Sequence, residues 1–372
     1  MAHGLLLSLL VGCTAHVGGE VVAIDAKPND RKPSTDAALD APIDAAVSLS
    51  TDPSRYRGTC DGSAAAAVDV DHLIGFSDND QRIRVFKRGT MTMPIVAPDI
   101  GGSLALGGTS PKVDFEDVER VGNRLYAISS HGRKNDGSQD GNRYRFAAID
   151  VSGQSPSFQF AVAGSSSSLL SDLLVTANWT SPNQPIIDAL RNASKLEEPT
   201  NTNLAPKSNG VNIEGLTHAP VDGLPGRMLI GLRNPRPGGK AIVVSLVNAD
   251  TVIAGGAARF GEGFTLDLGN LGIRGMTWSP VLRQVLIIAG PHDDQSGPFK
   301  LYRWPGTIGT TPTYVSTITP PSNMRPEAVV AYGSTNDIAI VFDGDDQQVG
   351  SVACDNAPED QRSFTDVVSH VE

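Results

Sequence analysis

From Thr59 onward, short apolar runs alternate with polar loops, and the order of runs and loops repeats. In the second unit a polar head, Asp114-Phe115-Glu116-Asp117-Val118, precedes the run Arg124–Ile128, the loop Ser129–Arg133 and a further run, Tyr144–Ile149. The third unit has the head Asn212–Leu216, the run Met228–Gly231, the loop Leu232–Arg236 and the run Ala241–Val244. The fourth follows with Gly272–Met276, Val285–Ile288, Ala289–Asp294 and Phe299–Trp304, and the fifth with Arg325–Val329, Ile338–Val341, Phe342–Asp345 and Val349–Ala353. The first is the most worn: Ala64–Val68, Leu73–Phe76, Ser77–Asp80 and Arg82–Phe86. Apolar runs of this length between turn residues read as strands.

The heads are 60 positions apart from Glu214 to Arg274 and 53 from Arg274 to Glu327, a period that suits one four-stranded blade per unit. The pattern predicts an all-β chain folded as a five-bladed β-propeller. The gap between Glu116 and Glu214 is longer by about 40 residues and holds helix-like stretches at Leu169–Thr176 and Pro185–Leu196. A partly helical insertion near residues 165–208 is expected there, with a sixth blade as the alternative. The expected propeller spans 58–357, followed by a C-terminal tail, 358–372.

Composition agrees. The 39 glycines and 25 prolines make the chain turn-rich, which excludes a helical bundle. A net charge of −11 repels phosphate backbones, so nucleic acid is not expected as a partner.

The amino terminus has a different character. Leu5–Val11 is too short an apolar run to span a bilayer and has the size of a signal-peptide core. With Gly12-Cys13 it resembles the bacterial lipobox, which implies lipidation of Cys13, removal of 1–12 and an address at the outer membrane or elsewhere in the envelope. Contact with the membrane would run through that anchor alone. Residues 14–57 are rich in Ala, Asp, Pro and Ser, without an aromatic before Tyr56, and read as a disordered tether. Two cysteines then remain, Cys60 and Cys354, at the two ends of the repeats. A ring brings its ends together, so a disulfide between them is expected.

The same geometry places the chemistry. The connection into each inner strand and the loop between the second and third strands open on one face, so Glu116, Asp117, Glu214, Arg274 and Glu327 should rim one mouth of the axial channel. Asp78, Asp80, His131, Arg133, Arg233, Asn234, His292, Asp293, Asp343 and Asp345 should stand just outside it. Ligand contact is expected of this set, apart from Asp80, Asp293 and the turn aspartates Asp343, Asp345 and Asp346. Glu116, Glu214, Glu327 and Asp343 are the candidate ligands of a hard cation such as Ca²⁺. Structural pairing among the acids and Arg274 is the competing role. If the mouth is catalytic, Glu214 and Glu327 are candidate general bases, and His131 or Arg233 would contact the leaving group. Asp136–Gly141 opens like a calcium loop but has Ala147 at the twelfth position. No His-Glu-x-x-His, Cys-x-x-Cys or Gly-x-Ser-x-Gly motif occurs.

The ordered set Ser77-Asp78-Asn79-Asp80, Asp114–Asp117, Ser130-His131-Gly132, Asn212–Leu216, Gly231–Pro235, Gly272–Arg274, Ala289–Pro291 and Pro326-Glu327 resembles the bacterial domain-of-unknown-function 3616 family. The resemblance implies a β-propeller-like domain and carries no activity with it. A looser likeness links the chain to phytase-like and esterase-like propellers. The leading expectation is therefore a monomeric, envelope-anchored propeller whose carboxylate-rimmed mouth binds a small molecule, glycan or protein. A metal-dependent phosphoester or ester hydrolase and a passive envelope scaffold are the alternatives.

Overall fold

The apolar runs pair with their sequence neighbours, as antiparallel strands joined by short loops do. The computed structural model describes residues 47–49 and 53–371, except 110, 221–226 and 334. Cys13, the signal-peptide reading and most of the expected tether lie outside the described residues.

Strands β1 (Val47–Leu49) and β2 (Ser54–Arg57) come first and join the last blade. Blade I is β3 (Ala64–Ala67), β4 (His72–Phe76) and β5 (Arg84–Lys87), widened by bridges from Arg82 to Asp99 and Val85 to Val96. Blade II is β6 (Phe115–Val121), β7 (Arg124–Ser129), β8 (Phe146–Ser152) and β9 (Gln159–Ser166). The excursion follows: α1 (Leu169–Leu173), β10 (Trp179–Ser181) and α2 (Gln184–Ser194). Blade III is β11 (Asn212–His218), β12 (Met228–Asn234), β13 (Ala241–Leu246) and, after α3 (Ala249–Ile253), β14 (Phe260–Leu266), with β10 parallel to β14 at its edge. Blade IV is β15 (Gly272–Ser279), β16 (Gln284–Gly290), β17 (Phe299–Trp304) and β18 (Thr313–Ile318). Blade V has β19 (Arg325–Ala331) and β20 (Asp337–Asp343); after a small hairpin of β21 (Gln348–Val349) and β22 (Val352–Ala353), β23 (Ser363–Val371) completes it.

Inner strands β3, β6, β11, β15 and β19 each pack on the next, and β19 returns to β3. The chain is a five-bladed β-propeller, and the six-blade count is not adopted. Two boundaries differ from expectation. Ser54–Arg57 pairs with β23 instead of belonging to a tether, and Ser363–Val371 is the third strand of blade V instead of a tail. The run Val349–Ala353 forms a surface hairpin. The reason is closure: pairing the N-terminal strands on the C-terminal one builds both ends of the chain into one blade and so fastens the ring. Tyr56, buried in this clasp, donates to Asp366 Oδ2 at 2.8 Å. The expected disulfide is present between Cys60 and Cys354, with Cα atoms 5.9 Å apart across 294 positions.

Among the described residues the apolar core divides into five clusters, one at each seam between adjacent blades. Each fully buried Leu or Phe contributes roughly 1.5–3 kcal/mol there. The seam between blades II and III also takes Leu169, Leu173, Ile186, Ile187 and Leu190 from the excursion, so the helices are fastened to the ring. Among the described residues no helix is long and apolar enough to cross a membrane.

Candidate functional site

Four inner strands carry the same irregularity. In β6 the pairing steps from Phe115 to Asp117, in β11 from Ile213 to Gly215, in β15 from Ile273 to Gly275 and in β19 from Pro326 to Ala328. The residues skipped are Glu116, Glu214, Arg274 and Glu327. A β-bulge re-aims the extra side chain, and here all four turn into one axial cavity of about 260 Å³. The strands crowd so closely that a Cβ at Gly275 would stand 2.7 Å from the Glu327 carbonyl oxygen. Strand β3 has no such step, and blade I supplies Ser63 and Asp78 instead.

One side of the mouth is charge-balanced. Arg233 Nη1 donates to Glu214 Oε1 at 2.9 Å, and Arg274 Nη1 lies 3.1 Å from Glu214 Oε2 while its Nη2 bonds Glu327. Burial alone would lower the Arg274 guanidinium, but Glu214, Glu327 and Glu116 outweigh it and hold the group protonated. The opposite arc is acid with little to offset it. Asp61, Asp78 and Asp345 bring carboxylate oxygens within 4.8 Å of one another, and Asp343 and Glu116 flank them. Burial, then the neighbouring acids, pushes Asp78, Glu116 and Asp343 well above the usual carboxylate range. Asp345 rises to about 7 for the same reasons, despite Asn79 and Lys112. Asp114, raised by burial, is offset in part by Arg143 at 3.2 Å. Among the described residues, Asp78 Oδ1, Asn212 Oδ1 and Asp345 Oδ1 are buried acceptors without a hydrogen-bond donor.

The structure takes five expected mouth residues elsewhere. The Asp117 carboxylate crosses the axis and accepts from the backbone N–H groups of Val118 (2.8 Å), Leu216 (2.6 Å) and Met276 (3.2 Å), stapling three inner strands. His131, 1% exposed, bonds the Ser129 carbonyl oxygen through Nδ1, and burial lowers its pKa to about 4. It lies off the cavity and is neutral at working pH. Arg133 donates to the carbonyls of Gly137, Ser194, Lys195 and Glu198, fastening α2 and its exit loop to blade II. Asn234 donates to the carbonyls of Pro206 and His292. Together Asn234 and His292 line a separate surface hollow.

The cation set expected from sequence also changes. Both Glu214 oxygens and one of Glu327 face arginines, and Glu116, Glu214, Glu327 and Asp343 do not converge as one ligand group among the described residues. Asp61, absent from the expected set, does. It lies before the worn first unit, where no head motif marks the position; its Oδ1 accepts from Ser63 and its Oδ2 from Ser77 and Asp78 N. Asp80 serves Arg84, and Asp293 lends its carbonyl to Arg233. Asp136 closes an exposed turn on Ser138. Asp114, Arg143 and Asn212 are cavity residues that the sequence reading missed; each sits within or next to a motif already noted.

Comparison with solved structures finds matches at low identity and low TM-score. The chain is similar to a glutaminyl cyclase from Myxococcus xanthus (9% identity, 88% of this chain and 98% of that one, TM-score 0.41). It is also similar to a putative glucose dehydrogenase from Thermus thermophilus (11%, 87% and 99%, 0.40) and to the β-propeller domain of Cps50 (Swd1) from Myceliophthora thermophila (10%, 88% and 100%, 0.37). No curated protein matches the sequence. The sequence profile of one family, described as a protein of unknown function (DUF3616), matches residues 104–366, and this five-bladed chain belongs to that family.

Proposed function

We propose that this propeller is a binding protein whose axial mouth takes a ligand presenting a positive centre, either a divalent cation or an alkylammonium group. One observation carries the reading: the mouth is asymmetric, with a neutralised arginine–glutamate side facing an arc of largely buried acids that have no salt bridge among the described residues. Buried carboxylates favour either protonation or a cation beside them. Bound cation replaces the proton, and the acceptors of Asp78, Asn212 and Asp345 gain a partner.

The expected hydrolase roles have less support. Glu214 is held between two arginines and His131 lies away from the cavity, so neither is poised to move a proton. The Cys60–Cys354 disulfide supports an exported protein, in keeping with a lipid anchor at Cys13, since such bonds persist in oxidising compartments.

The test is a thermal-shift scan at mildly alkaline pH with Ca²⁺, Mg²⁺, Mn²⁺, Zn²⁺ and a series of alkylammonium salts. A ligand at a hundred times its Kd stabilises the fold by about 2.7 kcal/mol, a clear rise in midpoint. Asp78→Asn and Glu116→Gln should abolish the rise. If no cation or ammonium compound moves the midpoint, or both variants respond like the parent, the reading fails.

A further inference from the structure

The opposite end of the axis opens into a second cavity, of about 560 Å³, made of different material. Its walls come from the far ends of the same inner strands: Ala67, Val118, Ala331, Pro280 and the half-buried indole of Trp278. Glu119 lies at its inner end, and burial raises that carboxyl to about 8 although the N–H groups of His218 and Trp278 favour the ionised form. The charged groups nearby are already engaged: Arg120 donates to the carbonyls of Val68 and Gly122, and Asp69 accepts from His72 at 2.8 Å. The cavity thus makes no demand for a charged occupant. Asp117 bars the axis between the two mouths, so occupancy of one leaves the other open.

The geometry points to a second, independent binding site at this end, for an uncharged small molecule with a ring-bearing apolar part against Trp278. The volume lies within the range of small-molecule sites, which combine apolar and aromatic walls with polar groups that orient the ligand. Ligand and indole gain from stacking as well as from the area removed from water.

The probe is 1-aminoanthracene, neutral near pH 7, titrated into the full chain and followed by its fluorescence. Saturable binding is expected, with Trp278 shielded from acrylamide quenching; Trp179 and Trp304 are buried already and contribute little to that change. Ala331→Arg and Ala67→Arg project a long side chain from different walls, and each should weaken binding at least tenfold. Glu116→Gln, at the other mouth, should leave it unchanged. Absence of saturation overturns the proposal, and so does a saturating probe that leaves Trp278 as accessible as before. Parental affinity in whichever arginine variant retains its unfolding midpoint overturns it equally; the shielding measurement decides the matter on unmodified protein if neither variant folds.

Discussion

Arg274 stands between Glu214 and Glu327, each on a neighbouring blade, and its guanidinium ties three blades together above the axis. All three side chains are largely buried, so the charges stabilise the mouth only as a set. Arg274→Met leaves two carboxylates with one arginine, and loss of one partner from a buried ion pair typically costs about 3–5 kcal/mol. Chemical denaturation should show that loss, and Arg274→Met with Glu327→Gln should recover part of it. A single variant as stable as the parent would show that the triad contributes nothing.

Asp117 gives a second prediction. Asp117→Ala strands the buried N–H groups of Leu216 and Met276, at about 1–3 kcal/mol each. Unfolding free energy should drop by about 2–6 kcal/mol, while any cation-induced rise in midpoint at the acidic mouth persists. Loss of that rise in a folded variant would mean that Asp117 contacts the ligand.

Stability should fall as pH rises. Glu119, Asp345 and Asp366 have folded pKa values of about 8, 7 and 6, all above their unfolded values. A carboxyl raised on folding binds its proton more tightly in the native state; its contribution is complete below the unfolded pKa and is lost as pH climbs through the folded one. His131, lowered to about 4, acts oppositely and removes stability below about pH 6.5. The acids outnumber it, so the unliganded midpoint should decline between about pH 6 and 8, and a bound cation should flatten that decline. Differential scanning calorimetry across this range checks the sign; a midpoint that climbs with pH contradicts the burial assigned to these acids.

The disulfide fastens the start of blade I to the approach to β23. Cys60→Ser with Cys354→Ser should lower unfolding free energy by about 2–5 kcal/mol. Reduction of the parent should reproduce the change, whereas equal midpoints with and without reductant would show that the strand clasp closes the ring unaided.

Much of the fold was legible from the amino-acid order. Apolar runs such as Met228–Gly231 and Val285–Ile288 are buried on both faces, so they read as continuous strands with turns between them. Their five-fold recurrence, and the ring it implies, placed Cys60 near Cys354. Blade V was misread at β23, whose pairing partners are β20 and the distant β2; a local pattern holds no information on which remote strand an edge will meet.

The site was legible in part. Recurrence of Glu116, Glu214, Arg274 and Glu327 at one place in each unit is a property of the sequence, and these four do share the mouth. Adjacent Asp117 offered the same chemistry but faces the backbone of two other blades, and Asp61 entered the acid arc without any motif to announce it. What the order of residues determined was the strands, the repeating blade unit and the recurring polar heads, because these depend on local periodicity. Which carboxylates meet a cavity, an arginine or a backbone N–H was decided by tertiary structure alone, because a one-residue bulge and the closure of the ring set the direction of each side chain relative to the axis.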